Sequence, residues 1–232
     1  GASIPGQAGA TLSSDQFIKG DAISVSVTVS DGIEYVTQSA TVTIQNSPPI
    51  VGGLSILPAL AYTINDLTAM LAAVGDPDDD PLTRSFTWTR NGESISGQST
   101  ATLPAFQFLK GDIIAVRFAV SDGSETATVD SASITILDSP PSISASPPGE
   151  ITYGQPMSFL VNATDADVDP ITFSISYGPI GMQVNAMGQV SWTPTGPMFD
   201  KQMEVQYGIL ASAAGVSVNF PGSITVTDLN RQ

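Results

Sequence analysis

Asp76-Pro77-Asp78-Asp79-Asp80-Pro81 runs directly into Leu82-Thr83, and Asp165-Ala166-Asp167-Val168-Asp169-Pro170 runs directly into Ile171-Thr172. The two stretches are in register at an offset of 89 (165 − 76). Each is an acid-rich loop set between apolar runs. A loop that recurs once per unit marks a chain built from copies of one module, and such copying has to be recognised before any other fold signal is read.

Further pairs extend the repeat. Ile18-Lys19-Gly20-Asp21 returns as Leu109-Lys110-Gly111-Asp112, an offset of 91 (111 − 20). Gly6-Gln7, Thr11-Leu12, Phe17 and Val29-Ser30-Asp31-Gly32 return at the same offset as Gly97-Gln98, Thr102-Leu103, Phe108 and Val120-Ser121-Asp122-Gly123. Asn46-Ser47-Pro48-Pro49 returns as Asp138-Ser139-Pro140-Pro141, one residue later. A period of about 90 residues is the length of one small β-sandwich and too long for a solenoid turn.

The local patterns agree. Ala22 to Val29, Thr41 to Ile44, Ser133 to Ile136 and Ser223 to Val226 alternate apolar and polar residues with period two. That alternation marks strands with one face buried and one in water. Within the middle repeat the pattern predicts strands over 54–64 (broken at Pro58), 67–74, 82–90, 94–95, 101–108, 113–120 and 127–137, with a hairpin turn at Asn91-Gly92. Asp66 to Val74 is the one helix-like stretch, and its context favours a strand. Seven strands at this spacing predict an all-β chain of tandem immunoglobulin-like sandwiches. Trp88 and Trp192, each in an alternating strand, read as core anchors rather than a sugar platform.

Composition narrows the function. The 232 residues hold 22 acids against 7 bases, a net charge of −15, which excludes nucleic acid and anionic membrane surfaces as partners. With no histidine and no cysteine, Ser-His and Cys-His nucleophilic systems, His- or thiolate-ligated metals and disulfides are all ruled out. No run of about 18 apolar residues is present, so this segment inserts no helix in a membrane. The expectation is that the chain is not an enzyme.

The middle repeat resembles the immunoglobulin-like tandem repeats of bacterial surface proteins, through Gly75-Asp76-Pro77-Asp78-Asp79-Asp80-Pro81-Leu82-Thr83, Trp88-Thr89-Arg90-Asn91-Gly92, Lys110-Gly111-Asp112 and Val120-Ser121-Asp122-Gly123. The third resembles the cadherin-like, dystroglycan-type family, through Asp165-Ala166-Asp167, Gly178-Pro179, Gly181-Met182 and Gly188-Gln189-Val190-Ser191-Trp192-Thr193-Pro194. The implied architecture is tandem immunoglobulin/cadherin-like β-sandwiches, the first only a half-domain: residues 1–47 as the C-terminal half of one repeat, 48–139 as an immunoglobulin-like repeat and 140–232 as a cadherin-like repeat. Half a sandwich exposes its core face and open strand edges, so residues 1–47 read as the end of a domain in a longer polypeptide, with another domain expected after Asn230.

The cadherin resemblance also implies a candidate metal. Ca²⁺ takes six to eight oxygens from carboxylates, carbonyls and water. Neither acidic loop is an EF-hand, since Pro81 and Pro170 stand in the place of its glycine. In the cadherin pattern an acidic loop meets the linker and an acidic turn of the preceding domain. Carried over, one junction gathers Asp21, Asn46, Asp76, Asp78 and Asp80, and the next gathers Asp112, Asp138, Asp165, Asp167 and Asp169. The linker's acidic string is reduced here to one polar residue, and the turn lacks its glutamate. The competing reading is a solvated turn whose Asp side chains cap their own backbone.

Together these readings predict the non-catalytic extracellular repeat region of a bacterial surface or adhesion protein, an extended stalk or contact module. Its expected partners are neighbouring repeats and a protein or glycan receptor on another surface. Two alternatives remain: accessory modules of a secreted hydrolase, and a structural subunit of an extracellular filament or surface layer.

Overall fold

The computed structural model describes residues 3–4, 6–7, 9–197 and 200–230, and these form β-structure with two single-turn 3-10 segments, Ser14–Gln16 and Ala105–Gln107. An N-terminal hairpin comprises β1 (Ala22–Ser30) and β2 (Tyr35–Thr43). The middle sandwich holds β3 (Ile50–Val51), β4 (Leu54–Leu57), β5 (Leu67–Leu71), β6 (Val74–Gly75), β7 (Thr83–Arg90), β8 (Glu93–Ser94), β9 (Thr102–Leu103), β10 (Ile113–Ser121), β11 (Thr126–Asp130) and β12 (Ile134–Thr135). The third unit holds β13 (Ser142–Ala145), β14 (Glu150–Thr152), β15 (Met157–Thr164), β16 (Ile171–Tyr177), β17 (Gln183–Val184), β18 (Gln189–Trp192), β19 (Gln202–Ala213) and β20 (Val216–Thr227).

In the middle sandwich β11-β10-β7-β8 form one sheet, with β12 also on β10, and β4-β5-β9 form another. Their inner faces share one core in which Trp88, Leu67, Leu103, Ile114, Phe118 and Val120 are fully buried. The alternation in Ile113–Ser121 becomes the burial pattern of β10: Ile114, Val116, Phe118 and Val120 point inward while the residues between them stay partly wet. Trp88 donates its indole N–H to the Thr100 carbonyl at 2.9 Å, so a buried polar atom is satisfied.

The third unit packs β13-β15-β18-β17 against β14-β20-β19-β16 around Phe159, Val190, Trp192, Tyr207, Ile209 and Ile224. Here β14 runs parallel to β20, whereas β19 and β20 form a long antiparallel hairpin. Two glycines set its close contacts. A Cβ on Gly188 (φ 79°) would lie 2.2 Å from the Val161 carbonyl oxygen, and one on Gly222 would lie 2.3 Å from the Tyr207 hydroxyl. The turn at Asn185 is closed by its own side chain, whose oxygen accepts the N–H groups of Met187 and Gln189.

The predicted all-β sandwich architecture is present, and both tryptophans lie in cores. Several strands are shorter than their sequence patterns. The expected strand over 101–108 is only Thr102–Leu103, because Pro104 brings no N–H and a 3-10 turn follows. The strand over 54–64 stops at Leu57, before Pro58, and the run 127–137 divides into β11 and β12. Asn91 and Gly92 sit at φ 55° and 86°, as the hairpin turn requires.

The hairpin stands apart from this pattern: every residue of β2, and all of β1 except Ile23, is exposed. Its Val27 is the counterpart, at offset 91 (118 − 27), of the fully buried Phe118. Phe118→Ala should therefore destabilise the middle sandwich by about 3–5 kcal/mol. Val27→Ala should change stability by no more than about 0.5 kcal/mol. Chemical denaturation followed by tryptophan fluorescence reads both.

Candidate functional site

The two acidic loops have the same backbone. Asp76 Oδ1 accepts the N–H groups of Asp78 (2.8 Å) and Asp80 (3.3 Å), and Asp165 Oδ1 accepts those of Asp167 (2.9 Å) and Asp169 (3.2 Å). Each loop also closes a backbone turn, Asp79 N to Asp76 O and Val168 N to Asp165 O. The fourth residue of each loop is left-handed, Asp79 at φ 58° and Val168 at φ 63°. Aspartate tolerates that conformation, but a β-branched valine is strained in it. The first aspartate thus works as the capping residue of its loop. Its other oxygen, Oδ2 of Asp76 and of Asp165, is buried and has no hydrogen-bond partner.

Both loops then grip the linker and the turn that precede them. At the first junction Ser47 N–H donates to Asp78 Oδ2 at 2.7 Å, and at the second Ser139 N–H donates to Asp167 Oδ2 at 2.8 Å. Lys19, from the turn after Ser14–Gln16, donates to Asp80 Oδ2 and, at 3.2 Å, to Asn46 Oδ1. Lys110, its counterpart, donates to Asp169 Oδ2 and lies 3.5 Å from both carboxylate oxygens of Asp138. The second proline of each linker, Pro49 and Pro141, is buried, and the first is exposed.

The Asp80 carboxylate holds the Lys19 ammonium above the ordinary lysine range against the opposing effect of desolvation, and Asp169 does the same for Lys110. Desolvation pushes Asp138 up, and the facing Asp167 carboxyl adds to this. Desolvation also raises Asp167, but the Ser139 N–H, the Thr63 hydroxyl and the Asp138 carboxyl together bring it below the usual carboxylate value.

Of the ten predicted residues, eight meet at these two places: Asn46, Asp76, Asp78 and Asp80 at the first, and Asp138, Asp165, Asp167 and Asp169 at the second. Asp21 and Asp112 do not join them. Each is used inside its own turn, Asp21 Oδ2 accepting Ile18 N–H at 2.9 Å and Asp112 Oδ2 accepting Leu109 N–H at 2.8 Å. Asp112 Oδ1 is also taken, by the Asn91 side-chain amide. The lysine of each Lys-Gly-Asp turn, rather than its aspartate, reaches across the junction.

One contributor went unpredicted. Asp122, in the β10–β11 turn, offers a carboxylate oxygen within 4.8 Å of one each from Asp76 and Asp80. It also accepts the Asn46 side-chain amide at 2.8 Å and the N–H groups of Ser124 and Glu125. The Glu125 N–H, with help from Asn46, holds it below the usual carboxylate value. At the second junction a different trio gathers, Asp138, Asp165 and Asp167, in which only Asp165 corresponds to a member of the first. Each trio combines oxygen-only donors, a high density of negative charge and one buried oxygen lacking a partner. Those properties match what a hard divalent cation requires.

No family model matches the sequence, and no curated protein matches it. Among solved structures, the chain is similar to human protocadherin-24 EC1-2, with 15% identity, a TM-score of 0.31, and coverage of 81% of this chain and 100% of that one. It is similar to Drosophila N-cadherin EC1-4, with 13% identity, a TM-score of 0.32, and coverage of 92% and 59%. It is also similar to Sidekick-1 immunoglobulin domains 1-5, with 15% identity, a TM-score of 0.31, and coverage of 91% and 48%. Among the described residues no helix is long and apolar enough to cross a membrane.

Two outcomes follow from this geometry. Val168→Asn should relieve the left-handed valine and stabilise the third unit by about 1 kcal/mol, measured by denaturant titration. Lys110→Met leaves Asp138 and Asp169 facing each other without the ammonium. Amide exchange at Ser139 should then accelerate, while the cores around Phe118 and Tyr207 keep their protection.

Proposed function

We propose that this chain is the non-catalytic repeat region of an extracellular bacterial surface or adhesion protein, organised as units 1–47, 48–139 and 140–232 and serving as an extended stalk or contact module. The observation that supports this best is the duplicated joint. The same four elements recur at both places: a lysine from the preceding turn, a Ser-Pro-Pro linker, an Asx-capped acidic loop and a linker polar residue. A joint copied together with its module is expected where the spacing and direction of consecutive modules matter. The prolines restrict the linker backbone, and the serine-to-aspartate bond ties linker to loop. The partners on this reading are neighbouring repeats along the polypeptide and a protein or glycan receptor on another surface.

The charge at each joint supports Ca²⁺ as a ligand there. One ammonium faces four carboxylates at the first joint (Asp76, Asp78, Asp80, Asp122) and four at the second (Asp138, Asp165, Asp167, Asp169). Like charges this close repel unless a cation screens them. The trio oxygens, with the partnerless Oδ2 of Asp76 and Asp165 among them, are the ligands on this reading, and water completes the six to eight oxygens that Ca²⁺ takes. Bound there, the ion would tie the second loop to its linker through Asp138 and stiffen that joint, and at the first joint it would brace the loop against Asp122 of the same sandwich.

The test uses the full chain with and without EDTA. Calorimetry should show two Ca²⁺ sites, both lost in Asp76→Asn/Asp165→Asn, a variant that keeps each loop's capping oxygen. Small-angle scattering should show an elongated particle whose spread of lengths narrows with Ca²⁺. A collapsed particle under both conditions overturns the stalk. An elongated particle with no calorimetric signal overturns the metal alone.

A further inference from the structure

The β1–β2 hairpin has two unlike faces. One carries a ladder of hydroxyl pairs, Ser24 with Thr41, Ser26 with Ser39 and Thr28 with Thr37, at 2.7–2.9 Å. These bonds satisfy the side chains and suit a face that stays in water. The other face carries Val25, Val27 and Val29 on β1, opposite Ala40, Gln38 and Val36 on β2. The three valines are 57%, 59% and 67% exposed, whereas their counterparts at offset 91, Val116, Phe118 and Val120, are 1%, 0% and 0% exposed. An apolar row of this length in water is a free-energy cost that nothing within the hairpin offsets.

The repeat itself states what covers that row. In the middle sandwich residues 48–91 do it, in two ways. β7 pairs along β10 from Ile114 to Ser121, on the edge away from β11. From the facing sheet, β4 and β5 add Leu54, Ile56 and Leu67 to the core around Phe118. The hairpin unit has counterparts of β10, β11 and the 3-10 turn Ala105–Gln107, but its sheet has two strands, and among the described residues no strand lies on the free edge of β1. A second copy of this chain is a poor occupant, since its own residues 48–91 are already packed in its own core.

We propose that the valine face and free edge of β1 form the acceptor half of a sandwich, and that their occupant is a polypeptide segment of the residues 48–91 type. Such a segment places a β7-like strand on the β1 edge and an apolar β4–β5-like hairpin over the valines. One difference sharpens its chemistry. Val27 stands where the middle repeat has Phe118, so the space of a phenyl ring falls to the occupant, which must bring a larger side chain there. This assignment goes beyond the joint reading and does not depend on any cation at the acidic loops.

The test joins a copy of residues 48–91 directly ahead of Gly1 of the full chain, which restores the repeat in register because 92 − 1 equals 91. Amide exchange by mass spectrometry compares residues 22–43 in the chain with and without the added segment. Protection of β1 should rise by about tenfold or more on fusion. It should rise further with Val27→Phe, which fills the space this particular segment leaves, and fall back to the unfused level with Val25→Asp. Residues 92–136, which the added copy does not duplicate, serve as the internal control and should not change in any variant. Unchanged β1 exchange in both the fusion and its Val27→Phe form overturns the proposal. So does sedimentation showing the unfused chain as a dimer whose hairpin is already protected, because a second copy is then the occupant.

Discussion

The structure turns on one electrostatic problem: several carboxylates must sit within a few ångströms of one another where one repeat unit meets the next. Part of the answer is local. The first aspartate of each loop spends one oxygen on two backbone N–H groups, which fixes the loop and partly neutralises that oxygen. The next comes from the linker, whose serine N–H binds the second aspartate. The last comes from the neighbouring turn as a lysine ammonium bound to the third. Each aspartate in the Asp-x-Asp-x-Asp series therefore answers to a different partner: its own backbone, the linker and the preceding unit. The alternation in the sequence is the alternation of those three duties.

This division explains which parts of the chain could be read without a structure. Strands were legible where period two and burial coincide, as in β10, because the inward residues are all large and apolar. Strand ends were less legible, because they depend on groups the pattern does not display. Pro104 ends β9 through a missing N–H, and the Asp66 carboxylate takes the Ala105 N–H in place of a ladder bond. Repeat offsets were more dependable than local propensity, since they compare the chain with itself.

At the junctions the loops and linkers were legible and the turns were misassigned. Asp21 and Asp112 have short side chains one residue after a left-handed glycine, and each finds an N–H three residues back before it can reach across. Lysine has the length to span the gap, and its charge is the complementary one. Asp122 is legible as part of a repeated turn, Asp122-Gly123, but not as a member of the site. Its signal lay in pairing: Ser121 lies opposite Thr83 in the β10–β7 register, which brings Asp122 to the same end of the sandwich as Asp80. That inference needs strand order, and strand order is not written in any one stretch.

The two joints are not identical, and the way they differ bears on what is being preserved. The first linker carries Asn46, and its third trio carboxylate is Asp122, from a turn of the following sandwich. In the third unit the matching turn is Ala214-Gly215, which has no carboxylate, while the second linker carries Asp138 in place of the asparagine. The carboxylate set in a turn at one joint is thus set in the linker at the other, and each joint holds four, three of them from its loop. The backbone differs as well: four residues turn between Ser121 and Thr126 but two between Ala213 and Val216, so the charge has moved together with a change of turn. Solvated turns that merely cap themselves place no demand on the number of acids nearby. A fixed count of oxygen donors, met from different elements, is what a joint organised around positive charge would require.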